Sequence, residues 1–189
     1  MSGSPTRPKA HGGTHRLFFA LWPDEDTRAR IAATADRLRA HAAGGRWVPP
    51  ERYHLTLQFL GTFRRRPTPV VEAASAAAAQ VRSPALTVQL DRIGIFPGRP
   101  RLWWLGREDP GPLLPLWNNI SCSLLERGIS GDSPTFVPHV TLARGMTGAP
   151  PQALSLPVTW EAEDFVLIHS QSAAETRYTV LGKWPLRCS

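Results

Sequence analysis

The sequence predicts an α+β fold built from two similar halves, and three observations point to it. His54-Leu55-Thr56-Leu57 and His139-Val140-Thr141-Leu142 form one phrase written twice, far apart in the chain. At the same distance before each histidine stand Arg16-Leu17-Phe18-Phe19 and Arg101-Leu102-Trp103-Trp104. Around these phrases the chain reads strand–helix–strand twice, with further strands inserted and appended. Matched phrases at one offset are the signature of a duplicated unit, and mixed strands and helices in a duplicated pattern give an α+β architecture.

The elements follow in order. Residues 1–15 are polar and rich in Gly and Pro, with no apolar stretch after their basic residues. They are expected to form a flexible tail and not a signal peptide, leaving 16–189 as a single domain. Arg16–Trp22 is a short apolar run stopped by Pro23, expected as a buried strand. Asp24-Glu25-Asp26 suits the positive end of a helix dipole. Ile31, Ala35, Leu38 and Ala42 then recur at helical spacing until Gly44-Gly45 stops the helix. Trp47–Pro50 is expected to be a rigid connector into a strand over Tyr53–Leu60.

Pro69–Val81 is alanine-rich and helix-forming. Leu86–Ile95 alternates as one half-buried strand, Phe96–Pro100 turns, and Leu102–Leu105 is a strand. Leu113, Leu116, Ile120 and Leu124 share one face of a helix over Leu113–Arg127. Phe136–Ala143 carries the second phrase. After a Pro-rich loop at Gly148–Pro151, Val158–His169 and Arg177–Leu181 are closing strands.

The chain has 189 residues, with 22 basic and 15 acidic side chains, a net +7. Without residues 1–15, 20 basic groups still face 15 acidic ones, so the basic character belongs to the folded body. A basic surface suits a polyanion, nucleic acid or nucleotide above all. With two lysines against a large excess of arginine, biased composition explains the charge equally well. No stretch is long enough to span a bilayer, so no membrane partner is expected. Cys122 and Cys188 are lone cysteines without a Cys-x-x-Cys pair, which suggests a reducing, cytoplasmic setting, although a disulfide between them stays open.

In a strand, residues i and i+2 project from one face. His54 therefore points with Thr56, and His139 with Thr141, while Leu55 and Val140 point into a core. If the halves pack about an approximate two-fold axis, two imidazoles and two hydroxyls converge. Two histidines flanking a phosphate divide acid and base work, because imidazole titrates near neutrality. The threonine hydroxyls would hold the non-bridging oxygens, and Arg144 would offset developing negative charge. A strand-end arginine is a solvated charge as often as a phosphate ligand, so Arg144 carries less weight. No step calls for a metal or other cofactor: no third ligand is suitably spaced, and His-x-Thr is not a zinc pattern. His169 is expected to be structural or at the edge of a cleft, and His11, His15 and His41 to be solvent-exposed. Trp47, Trp103, Trp104, Trp117, Trp160 and Phe96 are candidates to stack on a base, though most tryptophans in a chain this size are core.

These phrases resemble the two-histidine phosphoesterase superfamily, specifically the RNA 2′,3′-cyclic phosphodiesterases also called 2′-5′ RNA ligases. The resemblance is carried by Arg16–Leu21, Trp47–Gly61, Pro100–Trp104, Pro138–Arg144 and the region of Tyr178. It spans about residues 16 to 185 with no departure at the four motif residues. It implies a bilobal, pseudo-two-fold fold of two antiparallel sheets facing a central cleft, with helices outside. It also implies metal-independent hydrolysis of an RNA 2′,3′-cyclic phosphate, or of a cyclic nucleotide, to a 2′-phosphomonoester. By motif position, His54 is then the proton donor and His139 the proton acceptor, with Thr56, Thr141 and Arg144 binding substrate. A monomer is expected. Two alternatives stay open: 2′-5′ end joining at the same site, and a non-catalytic RNA- or nucleotide-binding module.

Overall fold

A computed structural model describes residues 13–131, 135–150, 157–172 and 177–187. The expected tail therefore lies mostly outside the described residues, as do Pro151, His11 and Cys188. Among the described residues, ten strands and three α-helices follow in the order β1 (His15–Leu21), α1 (Glu25–Arg39), β2 (Gly44–Trp47), β3 (Leu55–Phe63), α2 (Thr68–Ala78), β4 (Leu86–Leu90), β5 (Arg92–Phe96) and β6 (Leu102–Gly106). Then come α3 (Leu113–Leu125), β7 (His139–Met146), β8 (Val158–Ala162), β9 (Asp164–Gln171) and β10 (Arg177–Pro185).

The α+β expectation holds, in two antiparallel halves. One half is β10-β9-β1-β3, and the other is β7-β6-β5 with β2 on the outer part of β7. They join where β3 meets β7 through a single residue pair, Leu55 with Val140. These are the middle residues of the two His-x-Thr phrases, and both are fully buried. Antiparallel register places His54 opposite Thr141 and Thr56 opposite His139, so the approximate two-fold passes through this pair. Behind the sheet, one core gathers Leu17, Phe19 and Leu21 of β1 with Ile31 and Leu38 of α1 and Leu116 and Ile120 of α3. Asp24 starts α1 by accepting the Thr27 backbone N–H at 2.7 Å, relieving one of the unpaired donors every helix start leaves.

Several boundaries differ from expectation for identifiable reasons. Leu86–Ile95 is two strands: β4 pairs only with β8, whereas β5 pairs with β6 in the main sheet. The change of sheet falls at Asp91, whose N–H bonds to the Gly106 carbonyl. Val158–His169 likewise divides at Glu163, whose carbonyl takes the Leu186 N–H. Gly44 and Gly45 both have positive φ, 74° and 73°, and turn the chain into β2, so part of the expected connector is a strand.

The ladders show how far the duplication extends. In one half Phe18, Phe19, Ala20 and Leu21 face Phe59, Gln58, Thr56 and Leu55. In the other, Leu102, Trp103, Trp104 and Leu105 face Arg144, Ala143, Thr141 and Val140. Both ladders skip the residue after the motif threonine, Leu57 in β3 and Leu142 in β7, so the same β-bulge occurs twice. Beside the motif strands, Leu21 is therefore the counterpart of Leu105, an offset one position shorter than the one matching Arg16–Phe19 to Arg101–Trp104. That flanking letter match is out of register: Phe18 packs with Ala20 on the cleft face, while Trp103 packs on the opposite face with Ala143 and Met146. The motif repeat is real, and its flanking echo is not an equivalence of positions.

Candidate active site

Each histidine is set by a backbone anchor two residues earlier. His54 Nδ1 lies 2.8 Å from the Arg52 carbonyl oxygen, and His139 Nδ1 lies 2.8 Å from the Val137 carbonyl oxygen. A carbonyl only accepts, so both rings carry their hydrogen on Nδ1 and present Nε2 to the cleft. The anchors have local causes. Pro50–Arg52 form a 3₁₀ turn closed by the Tyr53 N–H on Pro50 oxygen, which aims the Arg52 carbonyl back at His54. On the other side Pro138 oxygen takes the Arg107 N–H, tying the lead-in of β7 to the end of β6.

His54 and His139 stand diagonally across the Leu55–Val140 pair, a relation that separates side-chain origins by about 7–8 Å in antiparallel sheets. That gap suits a phosphate with one imidazole on each side. Thr56 and Thr141, the other two corners, are half-buried on the same face. Arg144 is also half-buried and close enough to act electrostatically on both imidazoles. The bulge at Leu142 puts it there: strict alternation from Thr141 would turn it to the core, and the skipped residue reverses that.

The two imidazoles have unlike surroundings. The His54 ring stacks on Phe18 at 4.8 Å and lies near Trp22 at 6.2 Å, with Tyr178 edge-on at 5.5 Å. His139 meets the edge of Phe96 at 4.7 Å and lies 6.2 Å from Trp104. A cavity of about 210 Å³ opens beside it, lined by Thr56, Phe59, Phe96, Trp117, Phe136 and His139 among others. Trp104 and Phe96 thus flank the site, Trp117 lines its edge, and Trp103 and Trp160 are buried in the core. Trp47 packs edge-on against Trp103. Phe18, Trp22 and Phe59 do not stand out in the sequence. Residues 17–22 read as a uniformly apolar run, which hides which face is lined by Phe18, Ala20 and Trp22.

Burial lowers both histidine pKa values. His54 falls to about 4, chiefly by desolvation, with His139, Arg144 and Arg52 adding repulsion against the hydrogen bond to the Arg52 carbonyl. His139 shifts the same way for the same leading reason. Between pH 6.5 and about 4 the unfolded chain therefore holds a proton that folded His54 does not. Stability rises with pH through that window and is fully present above it. We expect a loss on the order of 3 kcal/mol from this one group as pH falls from 6.5 to 4. Melting curves across that range should flatten in His54→Ala, and an unchanged slope would contradict the burial of this ring.

The remaining histidines lie elsewhere. His169 is buried on the sheet face turned away from His54, and shares a 2.8 Å hydrogen bond with His15 in a stacked pair. His15 is thus part of β1 and half-buried, not solvent-exposed in a tail. His41 is exposed beyond α1. Arg101 is exposed and donates to the Gly148 carbonyl. Cys122 is an exposed free thiol. Among the described residues no three His, Cys, Asp or Glu side chains are grouped to hold a metal ion, and no helix is long and apolar enough to cross a membrane.

Residues 21–104 match the model of the LigT-like phosphoesterases. The chain is 33% identical over 183 residues to an RNA 2′,3′-cyclic phosphodiesterase of Thermus thermophilus, covering 91% of this chain and 90% of that one. It is 34% identical over 179 residues to the enzyme of the same description from Escherichia coli, covering 90% and 96%. The crystal structure of E. coli LigT in apo form superposes with a TM-score of 0.77 at 32% identity, over 93% of this chain and 99% of that one. LigT complexed with 3′-AMP superposes at 0.75, with 31% identity and coverage of 92% and 98%. With likeness of this extent across both halves, the chain belongs to the LigT-like phosphoesterase family.

Proposed function

We propose that the protein hydrolyses RNA 2′,3′-cyclic phosphate ends to 2′-phosphomonoesters by acid–base catalysis shared between His54 and His139. The observation that carries this reading is the symmetric presentation of two Nε2 atoms, each fixed by a backbone carbonyl, across one bridging residue pair. His139 Nε2 takes a proton from water as the water oxygen bonds to phosphorus. The bond from phosphorus to O3′ breaks, and protonated His54 gives its Nε2 proton to that oxygen. The products are a 3′-hydroxyl and a 2′-phosphomonoester. His139 ends protonated and His54 neutral, and proton exchange with solvent resets the pair. Thr56 and Thr141 donate to the non-bridging oxygens, and Arg144 offsets their growing charge.

His54 of the free enzyme is neutral near pH 7, so its acid role depends on the substrate. A bound phosphate brings negative charge beside the ring and raises its pKa. The alkaline limb of kcat, which reports the bound complex, should therefore lie at higher pH than that of kcat/KM, which reports the free enzyme. Coincident limbs would argue against substrate-assisted protonation.

The reading is tested by product analysis on nucleoside and oligonucleotide 2′,3′-cyclic phosphates, with and without EDTA. A 2′-phosphate product in both conditions is expected. A 3′-phosphate would reverse the leaving oxygen, and activity abolished by EDTA would remove metal independence. Because one chain supplies both halves of the site, we infer that it acts as a monomer. The exposed free Cys122 accords with a reducing, cytoplasmic setting.

A further inference from the structure

The approximate two-fold symmetry of the site is broken by charge. Burial lowers the Arg144 pKa, Tyr178 works against that, and Arg16, Arg52 and Arg46 add like-charge repulsion, so guanidinium groups from three other segments lie within electrostatic reach of Arg144. Arg46 and Arg144 are directly opposed on β2 and β7, an arrangement in which like charges destabilise a sheet. Arg16 leads the cleft-facing row Arg16, Phe18, Ala20, and Arg52 lies 5.0 Å over the Tyr178 ring. Among the described residues none of the four is paired with a carboxylate, and the buried Arg52 Nε has no hydrogen-bond partner.

The duplication supplies an internal control. On the motif strands and their lead-ins the halves correspond at the offset that carries His54 onto His139, which matches Arg144 to Phe59, Arg52 to Val137 and Arg46 to Gly131. Gly131 lies against Gln58 of β3, as Arg46 lies on β7. On the flanking strands the offset is the one that carries Leu21 onto Leu105, which matches Arg16 to Pro100. Every one of the four cations thus has an uncharged counterpart. The histidines and threonines act at phosphorus from both halves, and of the four cations only Arg144 has a part in that chemistry, so it leaves Arg16, Arg46 and Arg52 unexplained.

We propose that Arg16, Arg46 and Arg52, continuous with Arg144, form a subsite for a second phosphate. Its ligand is the internucleotide phosphodiester next to the cyclic end, so the preferred substrate is an RNA oligonucleotide and not a mononucleotide. Bound phosphate relieves the mutual repulsion and satisfies the idle donors through charge-assisted hydrogen bonds. This rests on the cyclic-phosphodiesterase reading above and names its substrate class.

The test compares kcat/KM for a dinucleotide ending in a 2′,3′-cyclic phosphate with that for the mononucleoside 2′,3′-cyclic phosphate of the same terminal base. The wild type should prefer the dinucleotide by roughly tenfold or more, the scale of one charge-assisted contact. Arg16→Ala and Arg46→Ala should each remove most of that preference, leave mononucleotide turnover within about twofold, and flatten the salt dependence for the dinucleotide alone. Unchanged mononucleotide turnover also reports that the variants are folded. Equal use of both substrates by the wild type, or parallel losses on both in the variants, would overturn the subsite while leaving the phosphodiesterase reading intact. Wild-type protein that hydrolyses neither would overturn that reading, and this one with it.

Discussion

His54→Ala and His139→Ala should each lower kcat for cyclic-phosphate hydrolysis by roughly 10²–10⁴, the usual contribution of one positioned acid or base. On the proposed mechanism both groups serve one step, so the double variant should fall little further than the worse single one. Neither loss should come from unfolding. Each ring is half-buried on the cleft face, and the strands beneath are held by Leu55, Val140 and the neighbouring ladders. Melting should stay near wild type above pH 6.5, and in His54→Ala it should exceed wild type toward pH 4, where desolvation penalises protonation of the ring. Single-turnover rates with a nucleoside 2′,3′-cyclic phosphate provide the measurement. Hydrolysis within tenfold of wild type in both single variants would sink two-histidine catalysis here.

Gly106→Ala should cost activity and stability together. Gly106 ends β6 directly opposite His139. A Cβ there would stand 2.2 Å from Pro138 oxygen and 3.0 Å from His139 Cα. Both neighbours are backbone, so no side-chain rotation relieves the clash, and either β6 or the lead-in of β7 must move. Overpacking of this kind costs about 1–3 kcal/mol. Displacing His139 by about 1 Å would cost on the order of 10²-fold in rate, because proton transfer depends on placement. The expected signature is a depressed kcat with KM nearly unchanged and a lowered melting temperature. A variant with wild-type kcat would show that His139 is not positioned by this contact.

Much of the site was legible in the sequence because two copies of one phrase are hard to produce without duplication, and strand parity puts His and Thr on one face. Helix faces were equally readable: Leu113, Leu116, Ile120 and Leu124 are the buried residues of α3. Strand boundaries were less so. Leu86–Ile95 alternates on both sides of Asp91-Arg92, where two polar residues in a row shift the phase, and that slip does not by itself say that the two parts join different sheets. Gly44–Trp47 is too short to display a period. The aromatic wall of Phe18 and Trp22 is hidden inside a run apolar on both faces, and His15 reads as part of a tail because its partner, His169, lies at the far end of the chain.

By itself the sequence determined the α+β class, the duplicated motif and the pair of imidazoles, since these follow from composition, periodicity and repetition along the chain. Only the tertiary structure decided which cations join them. Counting by twos from Thr141 sends Arg144 into the core, where Leu142 and Ala143 instead lie as consecutive buried residues. The ladder between β6 and β7 skips Leu142, as that between β1 and β3 skips Leu57, and each skip reverses the faces beyond it. A bulge is set by hydrogen bonds between segments distant in the chain, so no local pattern announces it. The same skip brings Phe59 to the cleft in one half and Arg144 in the other, and there the repeat ceases to be symmetric.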